Sequence, residues 1–157
     1  RGPRMPEGLG PSKTKAPVNP KATAEAVQLC RREAANQSMK IPDELLSRYG
    51  AEAIDVLEAQ AEYSNEAASA DPDGFPLLEA QLRHAIRSEM VLHLEDFYLR
   101  RIPLYASRAD HGWPWAETLV RVWAEERGLD AAAAGRELAR LKAELDHRSA
   151  WMRALGE

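Results

Sequence analysis

The sequence predicts an all-α domain, a bundle of six or seven helices that follows a flexible N-terminal arm. Three observations carry this. Alanine, leucine, glutamate and arginine dominate, and β-branched residues are few, a balance that favours helix over strand. Apolar residues recur at steps of three and four along most of the chain. No stretch alternates apolar and polar residues as a half-buried strand does.

Residues 1–20 are rich in Gly, Pro and Lys and lack an apolar period, so they read as a linker or arm. The helical domain is assigned to 21–157. Its first helix opens with Asn19 as N-cap and Pro20 at the first helical position. It runs to Asn36 with Ala22, Ala26, Leu29 and Cys30 as its stripe. A second helix starts near Asp43, carries Leu45 and Leu46, and ends at Gly50, which suits a left-handed residue. The third, from Ala51 to Tyr63, repeats Ile54, Leu57 and Ala61. Asp71-Pro72-Asp73-Gly74 marks a turn within a loop from Ala67 to Phe75.

The fourth helix enters after Pro76. Leu78, Leu82, Ala85 and Glu89 follow at steps of four, three and four, which is one face. A break is expected near Val91–His93, then a short helix to Arg100, stopped by Pro103. Ser107 to Gly112 is a polar connection. Pro114 opens a helix bearing Leu119, Val122 and Trp123, closed by Gly128. Asp130 caps the last helix, whose stripe is Ala134, Leu138, Leu141, Leu145 and Met152.

The 157 residues are enough for one domain with a core. The net charge of −4 gives no general electrostatic reason to bind nucleic acid or an anionic membrane. Cys30 is the only cysteine, so an intrachain disulfide and a cysteine zinc cluster are excluded. It reads as a small apolar residue. No run of about 18 apolar residues or more is present to span a membrane, and no signal peptide is visible.

The densest mixture of periodicity and charge is the stretch from Glu79 to Arg101. Glu89 sits on the apolar face, and a buried carboxylate needs a partner. The expectation is an ion pair from Glu89 to Arg100 or Arg101, closing the turn at Val91–His93. Glu89 should be largely buried, while Glu79, Arg83 and Arg87 should be more exposed. Asp96 and Arg100 are placed to pair at i,i+4. These four, Glu89, Asp96, Arg100 and Arg101, are the structural ion-pair candidates. No catalytic, cofactor or metal residues are assigned. His84, Glu89, His93 and Asp96 lack the spacing of a metal motif. Ser88 stands four residues from His84 with no further triad signal. No Gly-rich phosphate loop and no G-x-G-x-x-G are present. The four tryptophans read as packing residues.

The same stretch carries a family resemblance. Glu79-Ala80, Ala85-Ile86-Arg87-Ser88-Glu89-Met90, Leu94-Glu95-Asp96 and Arg100-Arg101 follow one another in the order of a known run. Arg48-Tyr49-Gly50 precedes them, and Ala124-Glu125-Glu126-Arg127-Gly128-Leu129-Asp130 follows. Over Ile41 to Leu145 the chain resembles the C-terminal helical domain of FAD-dependent glycerol-3-phosphate dehydrogenases and their oxidase relatives. One departure is local: Ile102 and Pro103 follow the paired arginines, where the family usually has a threonine first.

The resemblance implies an accessory domain with no FAD or substrate site of its own. The parent would oxidise glycerol 3-phosphate to dihydroxyacetone phosphate. Its flavin would take hydride from C2 and hand the electrons to a quinone, or to oxygen in oxidase relatives. The implied partner is the catalytic FAD domain of the same parent chain, with contacts between subunits as a further role. The implied location is cytoplasmic, with the parent peripheral on the inner membrane face. Two other readings stand beside this one. Trp123 to Leu145 has the outline of a helix–turn–helix regulator, but Ala131 to Ala134 offer no base-reading side chains. The remaining reading is a free-standing interaction module.

Overall fold

The computed structural model describes residues 20–36, 40–63, 75 and 77–155, with no strand among them. The arm at 1–19, the Asn19 cap, and the turn at 71–74 lie outside the described residues. Helix α1 spans Pro20–Asn36, α2 Asp43–Tyr49, α3 Ala53–Tyr63 and α4 Leu78–Ser88. A short α5, Leu94–Asp96, runs on into a wide turn at Phe97–Arg101, and α6 is Leu104–Ser107. Helix α7 spans Ala116–Glu126 and α8 spans Ala131–Leu155. The all-α expectation holds.

Helix α4 is the wall on which the rest is arranged. On one side α1, α2 and α3 gather Cys30, Leu45, Leu46, Ala53, Val56 and Leu57 into one apolar cluster, which Ala80 of α4 joins. On the other side Leu78, Leu82 and Ala85 face Phe97, Tyr98, Leu119, Val122, Leu141 and Leu145. A helix covered on two sides buries more than one stripe. Gln81, Arg83 and His84 are therefore buried alongside the leucines. This corrects the expected exposure of Arg83: its side chain is turned inward against α7. Glu79 is likewise partly covered, while Arg87 is exposed.

Two other stripes differ in part from their expected positions. In α1 Cys30 is buried as expected, together with Ala34 and the partly buried Val27, while Leu29 faces solvent; the side chains of Ala22 and Ala26 lie outside the described ones. In α3 Ala53, Val56, Leu57 and Ala59 are buried, and Ala61 is exposed. Short alanine-rich stripes specify their rotation weakly, because several faces bury similar area.

Helix ends follow local chemistry. Gly50–Glu52 forms a 3₁₀ turn, so α3 starts two residues later than expected. Trp113–Trp115 is also 3₁₀, with Pro114 tolerated where its missing N–H is not needed. Asp130 caps α8: its Oδ1 accepts the Ala133 N–H at 2.8 Å. Gly128 closes α7 at φ 61, a conformation that favours glycine. At Gly112 an added Cβ would collide with the Leu104 side chain, so that turn also requires glycine. The break after α4 runs over Glu89–His93, beginning two residues before the expected Val91–His93, and the Ile102 N–H reaches back five residues to the Phe97 carbonyl at 2.9 Å.

Candidate functional site

Helices α4 and α7 lie side by side and run in the same direction, joined by a ladder of charge. Arg121 Nη2 is 3.3 Å from Glu79 Oε2. Arg83 donates to Glu125 at 2.9 Å and to Glu126 at 2.6 Å. Arg87 donates to Glu126 at 2.9 Å from both Nε and Nη2 and to Glu62 of α3 at 2.8 Å. Burial works to raise the Glu126 carboxyl, but the hydrogen bonds from Arg87 and Arg83 overcome it and hold it below its ordinary value. For Glu125, too, burial is outweighed by hydrogen bonds from Arg83 and Arg121. The Glu126 bonds chiefly raise Arg87 above its ordinary range.

A second polar seam joins α2 to α4. Gln81 Oε1 accepts from Arg48 at 2.7 Å and from the Tyr49 hydroxyl at 3.0 Å. His84 meets the Tyr49 ring edge-on, and its Nε2 stands 3.8 Å from Glu52. Burial, and then the Glu89 charge, raise the Tyr49 hydroxyl well above its ordinary value.

The four ion-pair candidates fall into two pairs. Asp96 Oδ1 is 3.1 Å from Arg100 Nη1 across one helical turn. Glu89 Oε2 is 3.6 Å from Arg101 Nε, and Arg101 Nη2 donates to the Glu89 carbonyl at 2.9 Å. Glu89 is brought to Arg101 and not to Arg100. Its side chain is 23% exposed, about as covered as that of Glu79 at 24%, so the expected contrast in burial between these two carboxylates is not found. The reason is position: Glu89 is the residue at which α4 ends, so it sits beyond the covered part of the helix.

Two arrangements were not read from the sequence. The first is the ladder itself, although a signal for it exists. Glu125 and Glu126 close α7, where carboxylates are unfavourable against the helix dipole. Arg83 and Arg87 are a like-charged i,i+4 pair. Each misplaced pair implies the other. The second is Glu137. It is buried on α8, and its Oε1 accepts the Leu94 N–H at 2.6 Å while Oε2 lies 3.3 Å from His93 Nδ1. Arg140 adds bonds to His93 and to Glu95 at 3.0 Å. No local pattern announces a cap supplied from 43 residues away.

The turn from Glu89 to His93 is held from α7. Arg127 Nη1 donates to the carbonyls of Val91 and Leu92 at 3.1 and 3.0 Å. The Trp123 indole donates to the Leu92 carbonyl at 3.2 Å. Val91 is buried in the core, while its neighbours Met90 and Leu92 are 83% and 58% exposed.

Among the described residues no three His, Cys, Asp or Glu side chains gather to hold a metal. Among the described residues the glycines Gly50, Gly112 and Gly128 sit singly at turns between helices. No described helix is long and apolar enough to cross a membrane.

This constellation defines a helical domain: two apolar clusters, polar seams that join helix to helix, and one exposed turn held from α7. The family is specific. Residues 23–134 match the C-terminal domain of alpha-glycerophosphate oxidase, and the chain belongs to that family. It is thus a helical C-terminal domain of an FAD-dependent oxidase family. Neither the curated proteins nor the solved structures contain a match.

Proposed function

We propose that this chain is the C-terminal accessory domain of an enzyme that oxidises glycerol 3-phosphate to dihydroxyacetone phosphate. FAD, held in the catalytic part of the same parent chain, supplies the hydride acceptor. The domain's own task is to dock on that catalytic part, with contacts between subunits as a second role. The parent sits in the cytoplasm, peripheral on the inner face of the membrane. The observation that carries this is the family match over 23–134. It is supported by the ladder between α4 and α7, which links Arg87 and Glu126 from two separate pieces of the family pattern.

The test is to express the complete reading frame that encodes this chain and assay the purified product. The expected result is bound flavin near one per chain, and acceptor reduction that depends on glycerol 3-phosphate. A flavoprotein that turns over other substrates and ignores glycerol 3-phosphate would refute the substrate assignment. A product without flavin would refute the oxidase reading altogether.

A further inference from the structure

The two sides of α4 are closed in different ways. Toward α7 and α8 a large apolar cluster takes in Leu78, Leu82 and Ala85, and the ladder of Arg83 and Arg87 binds Glu125 and Glu126. Toward α1, α2 and α3 the apolar share is thin. Among the described residues, Ala80 joins that cluster from α4, with the partly buried Leu77 just before it. No described residue of α1, α2 or α3 belongs to the cluster on the far side.

Much of this seam is polar. Gln81 accepts from Arg48 and from the Tyr49 hydroxyl of α2. Arg87 Nη1 crosses to Glu62 of α3 at 2.8 Å, with 35% and 55% of the two side chains exposed. A pair so open to solvent holds weakly. His84 lies in the same seam against the Tyr49 ring, only 3% exposed, and its Nε2 has no hydrogen-bond partner. The Glu52 carboxylate, on the turn between α2 and α3, stands 3.8 Å away, too far for a hydrogen bond. A buried polar atom left without a partner favours any state in which water reaches it.

A seam that is polar and short of apolar contact is where parts of one chain separate. The lobe of α1, α2 and α3 brings a modest cluster, in which Ala53, Ala59 and Ala80 are three of the eight buried members. A unit this small does not keep its packing away from its support. Separation and loosening are therefore one event. We propose that α1, α2 and α3 open from α4 as one cooperative unit while α4 to α8 stay folded, and that the unpartnered His84 imidazole sets how often this happens. The open form bares a face of α4 that carries Ala80, Gln81 and His84, a largely polar surface that the closed lobe conceals.

Hydrogen exchange of the full 157-residue chain, followed by NMR across low urea concentrations, tests this. The expected result is that the Leu46, Val56 and Leu57 amides share one opening, about tenfold or more frequent than that of Leu82, Val120 and Val122. Its urea dependence is also shallower, because less surface is uncovered. Equal opening and equal slopes in the two sets overturn the proposal. Separate openings for Leu46 in α2 and Val56 in α3 overturn it too, since the lobe then frays piecemeal. Leu145→Ala weakens the far cluster, so it is expected to raise opening at Val120 and Val122 about tenfold or more and to leave Leu46, Val56 and Leu57 unchanged. A parallel rise in both sets means one global transition and counts against the proposal in the same way. His84→Leu removes the unpartnered atom, and opening at Val56 is expected to become about tenfold rarer. Opening that is unchanged or more frequent in this variant removes the role given to His84, and the proposal with it.

Discussion

At the scale of single residues, Met90 and Glu89 make opposite points about stability. Met90 adopts φ 56. Met90→Gly relieves this left-handed conformation, whose strain is about 1–2 kcal/mol, offset in part by the greater freedom of glycine in the unfolded chain. The expected outcome for this chain alone is a higher urea midpoint, by roughly 0.5–1 kcal/mol. An unchanged or lower midpoint would show that the turn does not strain Met90. Glu89 looked like the critical carboxylate because its register with Leu78, Leu82 and Ala85 was legible. What was not legible was the last turn of α4 slipping out from under its neighbours, since helix ends depend on tertiary contacts. Arg83 shows the reverse error. Its polar side chain suggested solvent, but its position against α7 put it inside, where Glu125 and Glu126 receive it.

At the scale of helices, the ladder makes α4 and α7 one unit. Arg83 and Glu126 are both nearly buried, so removing one leaves the other without full compensation. Arg83→Ala is expected to cost about 3–5 kcal/mol, while Arg148→Ala, at an exposed i,i+4 pair on α8, should cost roughly 0–1 kcal/mol. Equal small losses would mean that the ladder is solvated. The pH dependence follows from the lowered carboxyls of Glu125 and Glu126. A carboxyl held below its unfolded value of about 4.3 contributes stability above that pH. The contribution is lost as pH falls through the folded value. Urea midpoints measured from pH 7 down to 3 should therefore drop on the acid side, and the drop should be shallower in Glu126→Gln. Helix positions were the most readable feature of the sequence, because caps such as Asp130 and stops such as Pro103 act locally. The exposure of Leu29 in α1 and of Ala61 in α3 was not, because alanine leaves the buried face nearly degenerate.

At the scale of the whole molecule, α8 is the closing element. Leu141 and Leu145 enter the same cluster as Phe97 and Tyr98, and Glu137 supplies the cap of α5. Loss of a buried leucine side chain costs about 2–5 kcal/mol, and a domain has only ~5–15 kcal/mol in hand. A chain ending at Arg136 is therefore expected to lose its cooperative thermal transition, with Leu141→Ala shifting the same way by a smaller step. A sharp transition in the truncated chain would show that α1 to α7 stand without it. That α8 packs on this cluster was legible from its leucine spacing, whereas its polar link to α5 joins residues 43 apart and leaves no local trace. The link also bears on the order of events at the ribosome. The chain emerges from its N-terminus at about 5–20 residues per second, so Leu94 is released seconds before the carboxylate that receives its amide. Helices α4 to α7 thus wait, half-closed and with apolar surface open, until α8 emerges. A pause in translation between residues 101 and 137 would lengthen that exposure, and within that window the nascent protein is most open to chaperones and proteases.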